Sequence, residues 1–355
     1  MRPNIRTSWS NLTASSKRYV NNVLDRGWLS YSLYMPRFER LVAQRHGARY
    51  GVLVNSGTDA LRISWLVLKE IHRWPDNAEV IVPALTFVAT VNAVIQARLR
   101  PVFADVEFET GNLNQNALDR TISRRTVAAC AVHLFGLPAT ITPRSLVLVE
   151  DSCETFGVHR LEGVAMCMSF YMSHHVAAGV GGMILTNSKR FANLARSYQN
   201  HGRVDDGSHF KFGRVGYSSR ATELEAALGV AALEHVDTDL LIRSKLARRY
   251  HAGLMPATEV YHPLYVSAGH SWMFYPVLLK GSRRDEMLRY LKRRGIESRE
   301  AMPLINQPVF RGYYKPGSCP NAELWTKNGL LLPLHPKMTE SDVDVVCRAV
   351  KLFFK

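Results

Sequence analysis

Cysteine is sparse: Cys130, Cys153, Cys167, Cys319 and Cys347 stand singly in 355 residues, with no C-x-x-C pair. That spacing argues against a zinc knuckle, a disulfide framework and a close set of iron–sulfur ligands. Long apolar runs are missing too, since no stretch of about 18 uncharged apolar residues occurs, and no membrane span is expected. The opening segment, MRPNIRTSWSNLTASS, lacks the apolar centre of an export signal. A soluble, cytoplasmic protein with reduced thiols is the expectation. Lysine is absent between Lys69 and Lys189, so that interval offers no primary amine to chemistry. Acidic residues are in deficit, 30 against 45 basic, for a formal net charge of +15. Such a surface attracts anions, whether nucleotides, nucleotide sugars, nucleic acid or acidic membrane, without choosing among them. The basic residues are dispersed, as at Arg124-Arg125 and Lys292-Arg293-Arg294, and lack the interleaved aromatics of a single-strand groove. A merely solvated basic surface stays open, and so does nucleic acid as a partner.

What is present is a large apolar fraction, 46%, in a chain long enough for one large α/β domain and a smaller satellite. Apolar runs bounded by turn residues read as buried parallel strands at Tyr50–Val54, Glu79–Val82, Val102–Ala104, Val127–Val132, Leu146–Val149 and Met183–Thr186. Helical patterns lie between several of them, one starting at the N-cap candidate Ser56 and one following Phe87. This alternation predicts a mostly parallel sheet with helices on both faces, and ligands at the carboxyl ends of its strands. After a long helical stretch from about residue 221 the pattern changes to WMFYPVLL at 272–279, a helix at 283–294 and a last amphipathic helix at 339–354. We place a large domain at 1–245 and a small α+β domain at 246–355.

Three segments deliver polar groups to one edge of this sheet. Asn55-Ser56-Gly57-Thr58 combines a glycine with a helix N-terminus, which suits a phosphate but also suits any capped helix. VLVEDSCETFG brings Glu150, Asp151 and Glu154 to a strand exit. A buried carboxylate there needs a partner, and a protonated pyridine nitrogen is one candidate; a solvated acidic loop is the other. SFYMSHHVAAGVGGMILTN places His174 and His175 in a loop between strands. No H-E-x-x-H spacing accompanies them, so no metal site is assigned.

These segments and others run in the order of a known family. GWLS at 27–30, NSGTDAL at 55–61, PALTFVATVNAV at 83–94, PVFADVE at 101–107, EDSCETFG at 150–157 and SFYMSHH at 169–175 are followed by Asn200-His201-Gly202. GYSSRATELEAALG at 216–229, GIESRE at 295–300 and LPLHPKMTESDV at 332–343 complete the set. The whole chain resembles the DegT/DnrJ/EryC1/StrS family of sugar aminotransferases and dehydratases, which use pyridoxal or pyridoxamine 5′-phosphate. The resemblance implies the aspartate-aminotransferase-like fold type I and a homodimer. It implies that Gly57, Thr58 and Ser169 hold the cofactor phosphate, Phe87 covers the ring, and Asp151 pairs with its nitrogen. Glu154 falls where relatives place a polar residue near the ring hydroxyl.

His174 aligns with the lysine that tethers the cofactor in the aminotransferases. Histidine at this position resembles the branch of sugar-nucleotide 3-dehydratases that act on 4-keto-6-deoxyhexoses. What that branch implies is condensation of the aminated cofactor with the 4-keto group, proton removal by His174, and loss of the C3 hydroxyl. An amino donor such as glutamate would restore the cofactor, and the scattered cysteines favour the form without an iron–sulfur cluster. Other reactions of the same cofactor, on an amino-bearing or nucleic-acid-linked substrate, remain open, as does a lysine-less binding protein. His175 is expected either to orient His174 or to pack in the loop. Val180 stands where the family has an acidic residue, and Tyr31-Ser32-Leu33-Tyr34 lacks its usual glycine. Ser218 replaces the asparagine of the family's G-Y-N, which reaches the partner subunit's cofactor phosphate.

Overall fold

The computed structural model describes residues 4–10, 12–204, 210–261 and 269–355. The larger sheet contains β1 (Tyr50–Val54), β2 (Glu79–Pro83), β3 (Arg100–Ala104), β4 (Thr126–Val132), β5 (Val147–Asp151), β6 (Ala165–Ser169) and β7 (Gly182–Thr186). Their spatial order is β3-β2-β4-β5-β6-β7-β1. Side chains alternate between its two faces, as the two-residue period of a strand requires. Val52 and Val54 join Leu61 and Trp65 of the helix Gly57–His72, together with Val82, Cys130 and Val149, on one face. Leu53 turns the other way, to Phe38, Val42, Met166, Met183 and Val230 beneath the helices Tyr34–Arg45 and Glu223–Leu233. Helices therefore cover both faces, and strands such as Glu79–Pro83 are buried throughout.

One expected direction is corrected. Met183–Thr186 read as a parallel strand, but β7 runs antiparallel to both β6 and β1. A parallel return needs a crossover, usually a helix, and the connection 170–181 contains none, so the chain doubles back. This reversal suspends His174 and His175 between the end of β6 and the start of β7.

The second sheet is antiparallel, with β8 (Val260–Tyr261), β9 (Tyr275–Leu279), β10 (Arg299–Glu300) and β11 (Gly329–Leu332) in the order β10-β11-β9-β8. Helices Arg284–Arg293 and Glu340–Phe353 pack on it through Met287, Leu291, Val343 and Val346. The expected boundary at 245/246 falls inside the continuous helix Val236–Leu254. Leu240 of that helix packs with the large-sheet core, whereas Leu246, Tyr250 and Leu254 belong to the core of the second sheet.

Candidate active site

The exits of β1, β2, β5 and β6 meet at one edge of the large sheet. At the end of β5, Asp151 is 5% exposed. Its Oδ2 accepts from the Thr90 hydroxyl at 2.7 Å, and its Oδ1 accepts from the Cys153 N–H at 3.2 Å. Thr90 is coupled in turn to Thr86 at 2.8 Å. Neither partner of Asp151 is a cation. A buried carboxylate held by dipoles alone is incomplete without a positive group.

Beside it, the helix Gly57–His72 begins, with Ser56 Oγ accepting from Asp59 N at 3.1 Å. The first turn of a helix has N–H groups with no carbonyl one turn back, and its dipole favours an anion. Gly57 lies against the neighbouring strand ends: a Cβ there would stand 2.8 Å from both Cys153 Sγ and Ser169 Cβ. That close approach places Gly57, Thr58 and Ser169 around one spot. The hairpin return is equally tight, since a Cβ on Gly182 would lie 2.3 Å from the Ser56 carbonyl. Phe87, the N-cap of the helix Val88–Gln96, is 59% exposed at the exit of β2.

His174 hangs from the end of β6. Its Nδ1 lies 3.2 Å from the Ser169 carbonyl. A carbonyl only accepts, so Nδ1 carries the proton and Nε2 keeps its lone pair. Burial first, then the charges of Arg299 and Arg243, push the imidazole down to about 4, against the raising effect of the Ser169 bond. His174 is therefore neutral at physiological pH. Glu154 accepts the Phe135 N–H at 2.9 Å, and burial raises its carboxyl to about 7 in spite of Phe135 and Arg299. At neutral pH it can either give or take a proton.

Residue by residue, the structure brings Gly57, Thr58, Ser169, Asp151, Glu154 and His174 to this edge, with Phe87 at its rim. His175 turns elsewhere, placing Nε2 3.0 Å from the Ser271 carbonyl. Ser218 is exposed beside Arg220, 3.3 Å away, and does not enter the cluster of its own chain. Three groups escaped the sequence reading. Thr86, just before the helix Val88–Gln96, and Thr90, in its first turn, lie within the matched block PALTFVATVNAV. Arg299, within GIESRE, rests its guanidinium 4.1 Å over the Phe274 ring, and its charge is felt at Glu154 and His174.

A second polar cluster lies behind β5. His133 Nε2 is 3.2 Å and His159 Nε2 3.9 Å from Glu150 Oε1, a spacing that could suit a metal ion. Its hydrogen bonds argue otherwise. Ala139 donates to His133 Nδ1 at 2.8 Å, so Nε2 carries the ring proton and donates it to Glu150. Glu150 Oε2 meanwhile takes the N–H groups of Glu162 and Gly163. The cluster is a hydrogen-bonded brace for the loop after β5.

The profile of the DegT/DnrJ/EryC1/StrS aminotransferase family matches residues 10–351. The chain belongs to this family. A GDP-perosamine synthase from Caulobacter vibrioides is 31% identical, with 98% of each chain covered. Another GDP-perosamine synthase, from Vibrio cholerae, is 28% identical over 97% of each. Among solved structures, the E. coli GDP-4-keto-6-deoxy-D-mannose-3-dehydratase with bound hydrated PLP superposes with a TM-score of 0.90. It is 24% identical and covers 99% of this chain and 100% of its own. The fold is thus the fold type I of the aspartate aminotransferases, and the family's cofactor is pyridoxal phosphate or its aminated form. The residues fit that cofactor: a buried carboxylate whose hydrogen-bond partners among the described residues are all neutral suits a protonated ring nitrogen, and a glycine-walled helix start suits a phosphate. Gly57→Val is therefore expected to weaken binding of pyridoxal phosphate by at least about tenfold, near 1.4 kcal/mol, in a fluorescence titration. Unchanged affinity would remove Gly57 from the cradle.

Proposed function

We propose that this protein removes the C3 hydroxyl of a nucleotide-linked 4-keto-6-deoxy sugar as water, with His174 as the base. The observation that carries this reading is a neutral imidazole at the end of β6, in a chain with no lysine between Lys69 and Lys189, the interval that holds the exits of β2, β5 and β6. The relatives named GDP-perosamine synthase support a GDP-linked sugar as the substrate class.

Gly57, Thr58 and Ser169 would bind the cofactor phosphate, Asp151 would keep the ring nitrogen protonated, and Phe87 would lie over the ring. When bound, the cofactor supplies an amino group for the sugar ketone and a ring that takes up electrons. His174 Nε2, with its lone pair free because Nδ1 faces the Ser169 carbonyl, would take a proton from the aminated cofactor and give it to the C3 hydroxyl, which leaves as water; the cofactor would supply the two electrons and the amino donor would restore it, so the sugar ends with hydrogen in place of the hydroxyl. Glu154, able to hold or release a proton near neutrality, would face the ring hydroxyl. Arg299 offers a planar set of N–H donors to a carboxylate, which suits an amino donor such as glutamate. A homodimer completes the reading: exposed Trp28, Leu33, Val180 and Val215 would be covered by the second subunit, with Ser218 and Arg220 reaching its phosphate site.

Incubation of the protein, loaded with pyridoxamine phosphate, with GDP-4-keto-6-deoxymannose and glutamate tests this. Replacement of the C3 hydroxyl by hydrogen, a net loss of one oxygen atom from the sugar nucleotide by mass spectrometry, is expected, with glutamate consumed and ammonia released. A 4-amino sugar as the sole product would replace dehydration by amino transfer, and no change at all would leave a binding protein.

A further inference from the structure

The two sheets are joined by the backbone of Ser271, Trp272 and Met273, which leads into β9. Ser271 donates to the Gly136 carbonyl at 2.8 Å, and Met273 donates to the Phe135 carbonyl at 2.9 Å. The Ser271 hydroxyl adds a bond to Gly136 at 3.1 Å. From the other side Arg243, 3% exposed, places Nη1 3.0 Å from the Trp272 carbonyl and 3.1 Å from that of Met273. The carbonyl of Ser271 itself accepts from His175 Nε2 at 3.0 Å.

Both reacting side chains of the site hang on this stretch at one remove. Phe135, which receives Met273, gives its own N–H to Glu154 at 2.9 Å. His175, which holds Ser271, is the covalent neighbour of His174. The join is also conformationally demanding. Phe135 (φ 58) and Trp272 (φ 55) are bulky residues in the left-handed region. Such backbone persists only where its surroundings fix it, and it gathers at working sites. Gly136 (φ 101) cannot be replaced freely, because a Cβ would stand 2.6 Å from Trp272 N.

We propose that Ser271–Met273 is a positioning element that sets His174 and Glu154 relative to one another, and that His175 is its positioning residue on the histidine loop. The inference deepens the reading of His174 as the base and rests on it. A neutral imidazole has one N–H, and that of His175 is committed to Ser271, so its contribution is to hold the loop. The small-domain segment and the two site groups then move as one unit.

The test is hydrogen–deuterium exchange on the full chain without cofactor, followed by turnover of the loaded enzyme. In His175→Phe, amides 173–178 are expected to exchange at least tenfold faster, with β2 as the unchanged reference, whereas His175→Gln, which keeps a donor, should stay within about twofold of wild type. Gly136→Ala attacks the join from the other side, and it should accelerate the same amides without altering the loop's sequence. The kcat of His175→Phe should fall at least tenfold with KM for the sugar nucleotide within twofold, and His175→Gln should recover most of that loss. Unchanged exchange at 173–178 in His175→Phe or in Gly136→Ala overturns the proposal. So does a rise shared equally by β2, or a Gln variant as slow as the Phe variant. If wild type itself shows no turnover, the dehydratase reading falls while the exchange data still decide the positioning role.

Discussion

His174→Ala is expected to reduce dehydration by at least about a thousandfold while leaving the affinity for pyridoxal phosphate within a few fold. Removal of a positioned general base accounts for roughly 10²–10⁴ in rate, and among the described residues the two nearest titratable candidates, His175 and Glu154, are held by other partners. His175 donates its ring N–H to the Ser271 carbonyl, and Glu154 accepts the Phe135 N–H. Cofactor binding should survive because the phosphate cradle and Asp151 do not depend on the imidazole. The pH profile gives an independent check. A base works when unprotonated, and burial lowers His174 from its usual 6.5 to about 4. The acid limb due to this group should accordingly lie nearer pH 4 than pH 6.5, and any inflection near pH 7 belongs to Glu154, raised by burial to about 7. His174→Lys should do the opposite of a simple loss. The desolvated pocket, with Arg299 and Arg243 close by, favours an uncharged amine. Borohydride should then fix pyridoxal phosphate covalently to position 174, whereas wild type should gain no such adduct. Full activity in His174→Ala, or a borohydride adduct on the wild-type chain, would remove His174 from the chemistry.

The sequence made the parallel strands legible because runs such as Glu79–Pro83 and Thr126–Val132 are rich in apolar and β-branched residues, and a buried strand wants both. It was silent on β6, Ala165–Ser169, whose alanine, methionines and cysteine carry little strand preference; burial between β5 and β7 imposes the conformation. The direction of β7 was misread for a related reason, since periodicity reports burial and not polarity, and only the helix-free connection reveals the reversal. At the site, groups fixed by strand exits and helix starts were readable: Ser56 as a cap, Asp151 at the end of an apolar run, the histidines in a return loop. Thr90 and Arg299 were not, because their importance comes from what they face across the fold. Thr90 matters through the carboxylate of Asp151, 61 positions later. Arg299 enters from an edge strand of the other sheet. The left-handed backbone of Phe135 and Trp272 had no local signal either, since neither glycine nor asparagine marks those positions.

Asp151→Asn is the second large effect expected. The carboxylate lies at the end of β5 with a hydroxyl on one oxygen and an amide on the other, and no cation among the described residues is bonded to it. An asparagine of the same shape would fill the volume, but its NH₂ group would face either the Thr90 hydroxyl or the Cys153 N–H. It would also withdraw the anion from a ring nitrogen that must stay protonated. Breaking a buried ion pair by neutralising one member costs about 3–5 kcal/mol, which corresponds to roughly 10²–10³ or more in the step that uses the charge. Turnover should therefore fall at least a hundredfold. The absorbance of bound pyridoxal phosphate should shift with pH as the ring nitrogen titrates, a dependence absent from wild type. Thr90→Val supplies the graded control: it removes one hydrogen bond and keeps the charge, so a loss of about tenfold, near 1.4 kcal/mol, is expected. If Asp151→Asn were no worse than Thr90→Val, the negative charge would have no role at the ring, and the carboxylate would serve only to hold the loop after β5.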